Sequence, residues 1–260
     1  MDRILLLEDT RQQVKKHTAK HQWFLKNGIS WTRETLNCGD YQLAGKSDVA
    51  VDTKKDIQEL IGDIQAKTIS KSAVSAAVKN LLTVSEEGKH HKNLVNIITS
   101  DDTNRDVDNE ITMYVYENRL SETLISRLQT LYTKYRGFFH RGLVRAQIRR
   151  TRLFILVASD PEMIGMKKDI LNKAVTDING LRAWTNPRSL IVKAWTKRDA
   201  MGNRKPIYKY PYAMKGDKLA KALETMELKY GCKFVFCRDR DMGKKIIELL
   251  TGETYGYIDI

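Results

Sequence analysis

Three residues in the first quarter of the chain have the types and spacing for metal-assisted chemistry on a phosphate. Asp40 precedes a segment with strand character, and Asp52 and Lys54 lie two residues apart at the end of the next such segment. Two carboxylates can hold Mg²⁺, and an adjacent ammonium can position water or stabilise charge on a phosphate. Asp9, after the first apolar run, could add a third carboxylate. Solvated strand-end acids beside a surface lysine would share this spacing, so both interpretations stay open here.

The local pattern brings these residues to one place. Residues 40–43 lead into one strand, residues 44–47 form a turn, and the next strand begins at Val49. Strands joined by a short turn are neighbours, so we expect the carboxylates of Asp40 and Asp52 to converge. Because side chains alternate along a strand, Asp52 and Lys54 should share one face.

The remaining pattern alternates apolar strands with amphipathic helices, which favours an α/β fold with a mixed sheet. We predict a short strand or buried turn at residues 94–99. Further strands are predicted at residues 4–7, 29–36, 152–158 and 233–237. Helices are predicted at residues 14–27, 57–64, 70–84, 120–135, 143–150, 217–229 and 242–250.

The positive charge is concentrated in the second half of the chain. Residues 136–260 contain 26 Lys and Arg against 13 Asp and Glu, which accounts for the whole net charge of +13. Such a surplus is typical of proteins that bind a polyanion, although a lysine-rich solvated surface would give the same count.

Residues 182–215 interleave basic side chains with Trp and Tyr. The cations could contact phosphates and the rings could stack on exposed bases, or the rings could pack the loop onto the core. Seven candidate DNA-binding residues lie in this segment: Arg188, Lys193, Lys197, Arg198, Arg204, Lys205 and Lys209. Two more, Arg145 and Arg149, belong to a second basic cluster earlier in the chain.

Composition narrows the class of protein. No run of about 18 uncharged apolar residues occurs, so we expect no membrane span. Three cysteines are too few for a disulfide framework. We therefore expect a cytoplasmic or otherwise intracellular protein, and the basic second half of the chain favours its association with DNA. The chain contains no P-loop, so nothing favours an ATPase.

The ordered motifs resemble the XPF-type nuclease domain, a branch of the PD-(D/E)XK superfamily, and are closest in character to its phage and bacterial members. Asp9-Thr10-Arg11-Gln12 resembles the family's D-x-R-E, Gly39-Asp40-Tyr41 its G-D-Y, and Val51-Asp52-Thr53-Lys54 its V-E-R-K. The resemblance covers residues 1–64, 138–178 and 216–250. It implies a restriction-endonuclease-like core formed by residues 1–64 and 138–260, with residues 65–137 as a helical insertion.

The resemblance also implies a function. Asp40 and Asp52, with Asp9, would bind Mg²⁺, for which Mn²⁺ could substitute, and Lys54 would be the catalytic lysine. Arg11 would contact phosphate at the rim of the site. The expected activity is metal-dependent hydrolysis of phosphodiesters in branched, flapped or junction DNA, in repair or recombination. Related nucleases work as homodimers or with a partner protein, so the same is expected here.

Several positions depart from the family pattern. Asp52 is shorter than the usual Glu, Thr53 replaces an arginine, and Gln12 replaces a carboxylate. The acid expected in the following helix is shifted, which leaves Asp56 and Glu59 as candidates. The missing carboxylate at Gln12 and the shifted helix acid favour one alternative, a weak or inactive module that binds DNA structures, whereas the retained Asp40, Asp52 and Lys54 argue against it. A second alternative, an RNA-binding or RNA-processing protein, is equally compatible with the basic aromatic loop.

Overall fold

The computed structural model describes residues 4–12, 18–66, 68–100, 102, 105–198 and 201–253, which fold as an α/β protein with a mixed sheet. In chain order the elements are β1 (Leu5–Asp9), α1 (Thr18–Lys26), β2 (Ser30–Glu34), β3 (Tyr41–Leu43), β4 (Lys46–Lys54), α2 (Ile57–Ile64), α3 (Lys71–Leu81), α4 (Val84–Ile98), α5 (Val107–Glu117), α6 (Thr123–Arg136), α7 (Phe138–Ile148), β5 (Arg152–Ala158), β6 (Glu162–Ile164), β7 (Ile170–Asn172), β8 (Val192–Trp195), β9 (Pro206–Tyr208), α8 (Gly216–Tyr230), β10 (Lys233–Cys237) and α9 (Met242–Thr251). Short 3-10 helices lie at Gly180–Ala183, Pro187–Leu190 and Asp239–Asp241.

Six strands form the central sheet in the order β10-β5-β4-β3-β1-β2. The short strand β3 pairs antiparallel with both β1 and β4, and the remaining pairs are parallel. The carboxyl ends of β1 and β4 therefore lie at the same edge of the sheet as the start of β3. This is the arrangement that the alternating pattern and the short turn predict for residues 40–54.

Helices cover both faces of the sheet, and the alternation along β4 shows how. Val49 and Val51 pack with α1 and α9 on one face, whereas Ala50 packs with α2, α7 and α8 on the other. Burying apolar side chains on both faces is the main stabilising contribution in such a layered fold. By the same alternation Asp52 and Lys54 lie on the α2 and α7 side, and Thr53 lies on the α1 side.

Helices α3 to α6 pack around a separate apolar cluster. Leu94, Ile98, Ile111 and Leu128 are fully buried there. An ion pair between Arg141 of α7 and Asp108 of α5, with an Nη2–Oδ2 distance of 2.7 Å, links this cluster to the helix that covers the sheet. The identification of residues 65–137 as an insertion relative to other chains stays a prediction.

Two small antiparallel hairpins lie outside the central sheet: β6 with β7, and β8 with β9. The pairing of β8 and β9 shifts register between Val192 and Ala194, because one extra residue interrupts the ladder. Trp195, Ile207 and Tyr208 of this second hairpin are exposed.

Two predictions for the helical region were wrong. Residues 94–99 were expected to be a strand or turn, but residues 94–98 form the last turns of α4, where Leu94, Val95 and Ile98 are buried at helical spacing. Residues 70–84 were expected to form one helix, but α3 ends at Leu81 and Thr83 caps α4. The predicted helix 14–27 is observed over Thr18–Lys26, and residues 14–17 lie outside the described part of the chain.

In the described part of the chain, no helix is both long enough and apolar enough to cross a membrane.

Candidate active site

A cavity of about 260 Å³ opens at the sheet edge where β1 and β4 end and β3 begins. Asp9 is the last residue of β1, Asp40 immediately precedes β3, and Lys54 is the last residue of β4. Residues from the sheet edge, α2 and α7 line the cavity: Asp9, Arg11, Gln12, Cys38, Gly39, Asp40, Asp52, Lys54, Asp63, Phe138, Phe139, Gly142, Leu143, Arg145 and Leu153. The structure thus brings the predicted residues Asp9, Arg11, Asp40, Asp52, Lys54 and Arg145 together around one space.

Asp40 is fixed by backbone and side-chain contacts. Its amide donates to the carbonyl of Val51 at 2.7 Å, and its carbonyl accepts from the amide of Asp9 at 2.9 Å. Gly39 adopts a φ of +69°, and a Cβ there would lie 3.0 Å from the carbonyl oxygen of Val51. A glycine is therefore needed before Asp40, because only glycine adopts this conformation in so tight a space.

Two departures from the family pattern both contact the carboxylate of Asp40. The side-chain amide of Gln12 donates to Oδ1. Thr53 donates to Oδ2 twice, from its backbone amide at 2.7 Å and from its hydroxyl at 2.6 Å. Both side chains thus supply a hydrogen-bond donor that orients the buried carboxylate of Asp40.

Lys54 lies between two carboxylates. Its Nζ is 3.0 Å from Oδ2 of Asp52 and 2.7 Å from Oδ2 of Asp63. The ammonium also lies 4.9 Å from the centre of the Phe139 ring. Burial opposes the charge on Lys54, but the two carboxylates outweigh it and raise the pKa of the ammonium.

Asp52 has a strongly shifted protonation equilibrium. Burial raises the pKa of its carboxyl group to about 7, with the charge of Asp40 adding to the rise and that of Lys54 opposing it. Because burial is the main cause, a divalent cation bound beside Asp52 would favour its ionised form and lower that pKa.

Asp9 forms an ion pair with Arg11. Both carboxylate oxygens of Asp9 accept hydrogen bonds from the Arg11 guanidinium, and Oδ1 also accepts from the Arg11 amide at 2.8 Å. Nη2 of Arg11 additionally donates to the carbonyl of Leu36 at 2.6 Å. About half of the Arg11 side chain remains exposed, so its free edge can meet an anion at the cavity rim.

Asp63 is the acidic contact that the sequence pattern did not identify. Asp56 caps α2 by accepting from the amide of Glu59 at 2.7 Å, and Glu59 accepts from the amide of Lys55 at 2.7 Å. The two carboxylates named from the sequence, Asp56 and Glu59, therefore both accept hydrogen bonds from backbone amides at the start of α2. Asp63 lies seven residues after Asp56 and hence near the same helix face, a spacing that could have indicated it.

Phe138 is a second residue that the sequence analysis missed. It lines the cavity at the start of α7 and is 72% exposed, whereas the neighbouring Phe139 is buried. No motif distinguished this ring from an ordinary core residue. An exposed aromatic side chain at the mouth of a polar cavity can stack on a planar group of a ligand.

The basic residues named from the sequence divide into two sets. Arg145 lines this cavity and donates to the carbonyl of Asn37 at 3.0 Å. It also lines a second cavity of about 230 Å³, together with Arg149 and Arg141. The remaining residues are exposed on or near the β8–β9 hairpin and are not among those that line either cavity: Arg188, Lys193, Lys197, Arg198, Arg204, Lys205 and Lys209.

The carboxylate oxygens in the cavity are suitable ligands for a hard cation such as Mg²⁺. Among the described residues, no group of three His, Cys, Asp or Glu side chains is arranged to hold a metal ion. Mg²⁺ usually retains several waters and takes only one or two protein carboxylates, so Asp40 and Asp52 would suffice. The two carboxylates line the same space.

Comparison with known proteins identifies no relative. No protein-family model matches the chain, and neither the curated proteins nor the solved structures contain a significant match.

Proposed function

We propose that this chain is a metal-dependent DNA endonuclease with a restriction-endonuclease-like core of the XPF type. The observation that carries the proposal is the convergence of Asp40, Asp52 and Lys54 on one cavity at the edge of the central sheet. Arg11 and Arg145 add cationic groups around the same cavity. Hydrolysis of a phosphodiester needs this combination of metal-binding oxygens, an ammonium and phosphate-binding cations.

Asp40 and Asp52 would hold Mg²⁺, which when bound acts as a Lewis acid and favours ionisation of a coordinated water. Arg11 would bind a phosphate oxygen through the edge of its guanidinium that faces away from Asp9. Asp9 would orient that guanidinium through the hydrogen bonds that both of its oxygens accept from Arg11, and its role as a third metal ligand stays a prediction.

Lys54 would stabilise charge that develops on the phosphate. Its ammonium remains protonated at neutral pH because Asp52 and Asp63 raise its pKa. The same two carboxylates fix its Nζ within the cavity before a substrate arrives. A preorganised cation of this kind is more effective than one that must reorient during the reaction.

We propose branched, flapped or junction DNA as the substrate, because exposed rings accompany the basic groups. Phe138 lies at the cavity mouth, and Trp195 and Tyr208 lie on the β8–β9 hairpin. Such rings can stack on bases that are not paired. The basic residues beside them would contact the flanking phosphates.

Cleavage of labelled DNA tests the proposal. Duplex, single-stranded, flapped and four-way-junction DNA are incubated with Mg²⁺, with Mn²⁺ and with EDTA, using the natural chain and Asp52→Ala. We expect metal-dependent cleavage of the branched substrates and its loss in Asp52→Ala. Cleavage that persists in EDTA or in Asp52→Ala would refute the assignment of this site.

One observation favours a second candidate, a module that binds DNA structures without cutting them. Lys54 is already neutralised by Asp52 and Asp63, so the cavity's lysine is not free in this state. If this candidate is correct, the chain binds flapped DNA tightly without cleaving it, and Asp52→Ala leaves the affinity unchanged. Matched RNA oligonucleotides in the same experiment would reveal an RNA-binding protein by tighter binding to RNA.

A further inference from the structure

Lys20 of α1 is a buried lysine on the opposite face of the sheet from Lys54. Only 8% of Lys20 is exposed, and lysine is seldom buried without a specific partner. Burial lowers the pKa of its amino group, although the negative charge of Asp40 partly opposes that effect. The residue is not among those that line the cavity, so a direct contact with substrate does not explain its burial.

The partner of Lys20 is Thr53. Nζ of Lys20 donates to the Thr53 hydroxyl at 3.1 Å, and that hydroxyl lies 2.6 Å from Oδ2 of Asp40. Lys20 Nζ also lies 5.7 Å from the centre of the Tyr41 ring, in the residue that follows Asp40. Lys20 therefore contacts the site indirectly, from the α1 face of the sheet, through the side chain of Thr53.

The direction of these hydrogen bonds follows from chemistry. An ammonium group has only donors, so the Thr53 hydroxyl must accept from Lys20. Its single proton is then directed at Asp40, which as a carboxylate can only accept. The ammonium therefore fixes the direction in which the hydroxyl donates.

We propose that Lys20 is a positioning residue that acts through Thr53 to orient the Asp40 carboxylate for the metal. This inference rests on the proposed function, because it assigns Asp40 the role of a ligand. By donating to the Thr53 hydroxyl, Lys20 directs that hydroxyl's proton towards Oδ2 of Asp40, while Gln12 donates to Oδ1. Groups that hydrogen-bond to a ligating carboxylate typically change metal affinity by roughly 10- to 100-fold when removed.

Mn²⁺ affinity of the full chain, measured by electron paramagnetic resonance of the free ion, tests this role without an activity assay. Lys20→Met and Thr53→Val should each weaken Mn²⁺ binding by roughly 10-fold or more, and the double variant by little more than either single variant. Thr53→Ser, which keeps the hydroxyl, should bind Mn²⁺ like the natural chain. Lys26→Met makes the same chemical change at an exposed position of α1 and should have no effect.

The outcomes separate this inference from the proposed function. Unchanged Mn²⁺ affinity in Lys20→Met and Thr53→Val, with binding lost in Asp52→Ala, would refute the role of Lys20 and leave the metal site standing. Equal losses in Thr53→Ser and Thr53→Val would also refute it, since a hydroxyl would then be irrelevant. If Lys20→Met fails to fold, the two Thr53 variants decide the question. Absence of Mn²⁺ binding by the natural chain would overturn both proposals.

Discussion

The sheet edge and the β8–β9 hairpin use charged side chains in opposite ways. At the sheet edge, the Asp40 carboxylate accepts three hydrogen bonds and Lys54 lies between two carboxylates. On the hairpin, by contrast, Lys193 of β8 and Lys205, immediately before β9, are exposed. A fixed constellation suits chemistry at one atom, whereas a set of exposed cations suits attraction to a long polyanion. Under the proposed function, the chemistry would take place at the sheet edge and the hairpin would supply affinity for DNA.

Removing a carboxylate that is proposed to bind metal should separate the two regions most strongly. Asp52→Asn is expected to slow cleavage by roughly 10²- to 10³-fold, because it removes a charge that the reaction needs. Affinity for flapped DNA, measured by fluorescence anisotropy in EDTA, should stay near that of the natural chain. A parallel loss of affinity and rate would show that the edge and the hairpin do not have separate roles.

Removing charge from the hairpin should have the converse effect. A variant carrying Lys193→Gln, Lys197→Gln and Lys205→Gln should bind DNA more weakly and show a shallower dependence of affinity on salt. Each lost phosphate contact lowers the slope of log K against log salt by about 1. The single-turnover cleavage rate at saturating enzyme should not change.

The matched control makes the same charge change on α8, with Lys218→Gln, Lys221→Gln and Lys229→Gln. This variant should keep the natural salt slope. Equal effects from both triple variants would mean that total charge, and not the hairpin, determines DNA affinity.

Single aromatic side chains should have smaller effects. Trp195→Ala is expected to reduce affinity for single-stranded and flapped DNA by about 1–3 kcal/mol per stacked base, and to leave duplex affinity unchanged. Phe138→Ala should lower cleavage of the flapped substrate more than that of duplex. Leu228→Ala, at another exposed apolar position, serves as the control, and an equal loss in that variant would argue against stacking.

The smallest expected effect concerns stability and pH. The folded chain raises the pKa of Asp52 from an ordinary 3.8 to about 7, so between these values the folded state holds a proton that the unfolded state has lost. The contribution of Asp52 to stability therefore falls as the pH rises through this window. Asp52→Asn removes the titration, so its free energy of unfolding relative to the natural chain should increase by about 1 kcal/mol from pH 5 to pH 6.

Urea unfolding in EDTA at each pH measures this difference. Asp48→Asn, at an exposed position of the same strand, should show no comparable dependence. A constant difference for Asp52→Asn across the window would mean that Asp52 is already ionised at pH 5.

The elements of the central sheet and the helices that cover it were predicted better than helices α3 to α6, and the reason is physical. Strand β10 and helix α2 were predicted with their observed bounds, because each apolar pattern has one clear period. Helix α5 was not predicted although Val107, Ile111 and Val115 are buried at helical spacing. These residues are β-branched and favour strands locally, so the tertiary packing of α3 to α6 decides their conformation.

The candidate site shows the same limit. The convergence of Asp40 with Asp52 followed from strand alternation and a short turn. The contacts of Asp63 and Lys20 did not, because each depends on how a helix packs against the sheet. The contacts between a helix and the sheet depend on how the two pack, which the order of polar and apolar residues along one segment does not determine.

Single-turnover cleavage of a flapped substrate by Lys54→Met, beside Lys55→Met, tests the central claim most directly. Both variants lose one ammonium at neighbouring positions, but only Lys54 lines the cavity and contacts Asp52. We predict that Lys54→Met cleaves roughly 10²- to 10³-fold more slowly with unchanged DNA affinity, and that Lys55→Met cleaves at the natural rate. Equal rates for the two variants, in a chain that does cut DNA, would contradict the assignment of this cavity as the active site.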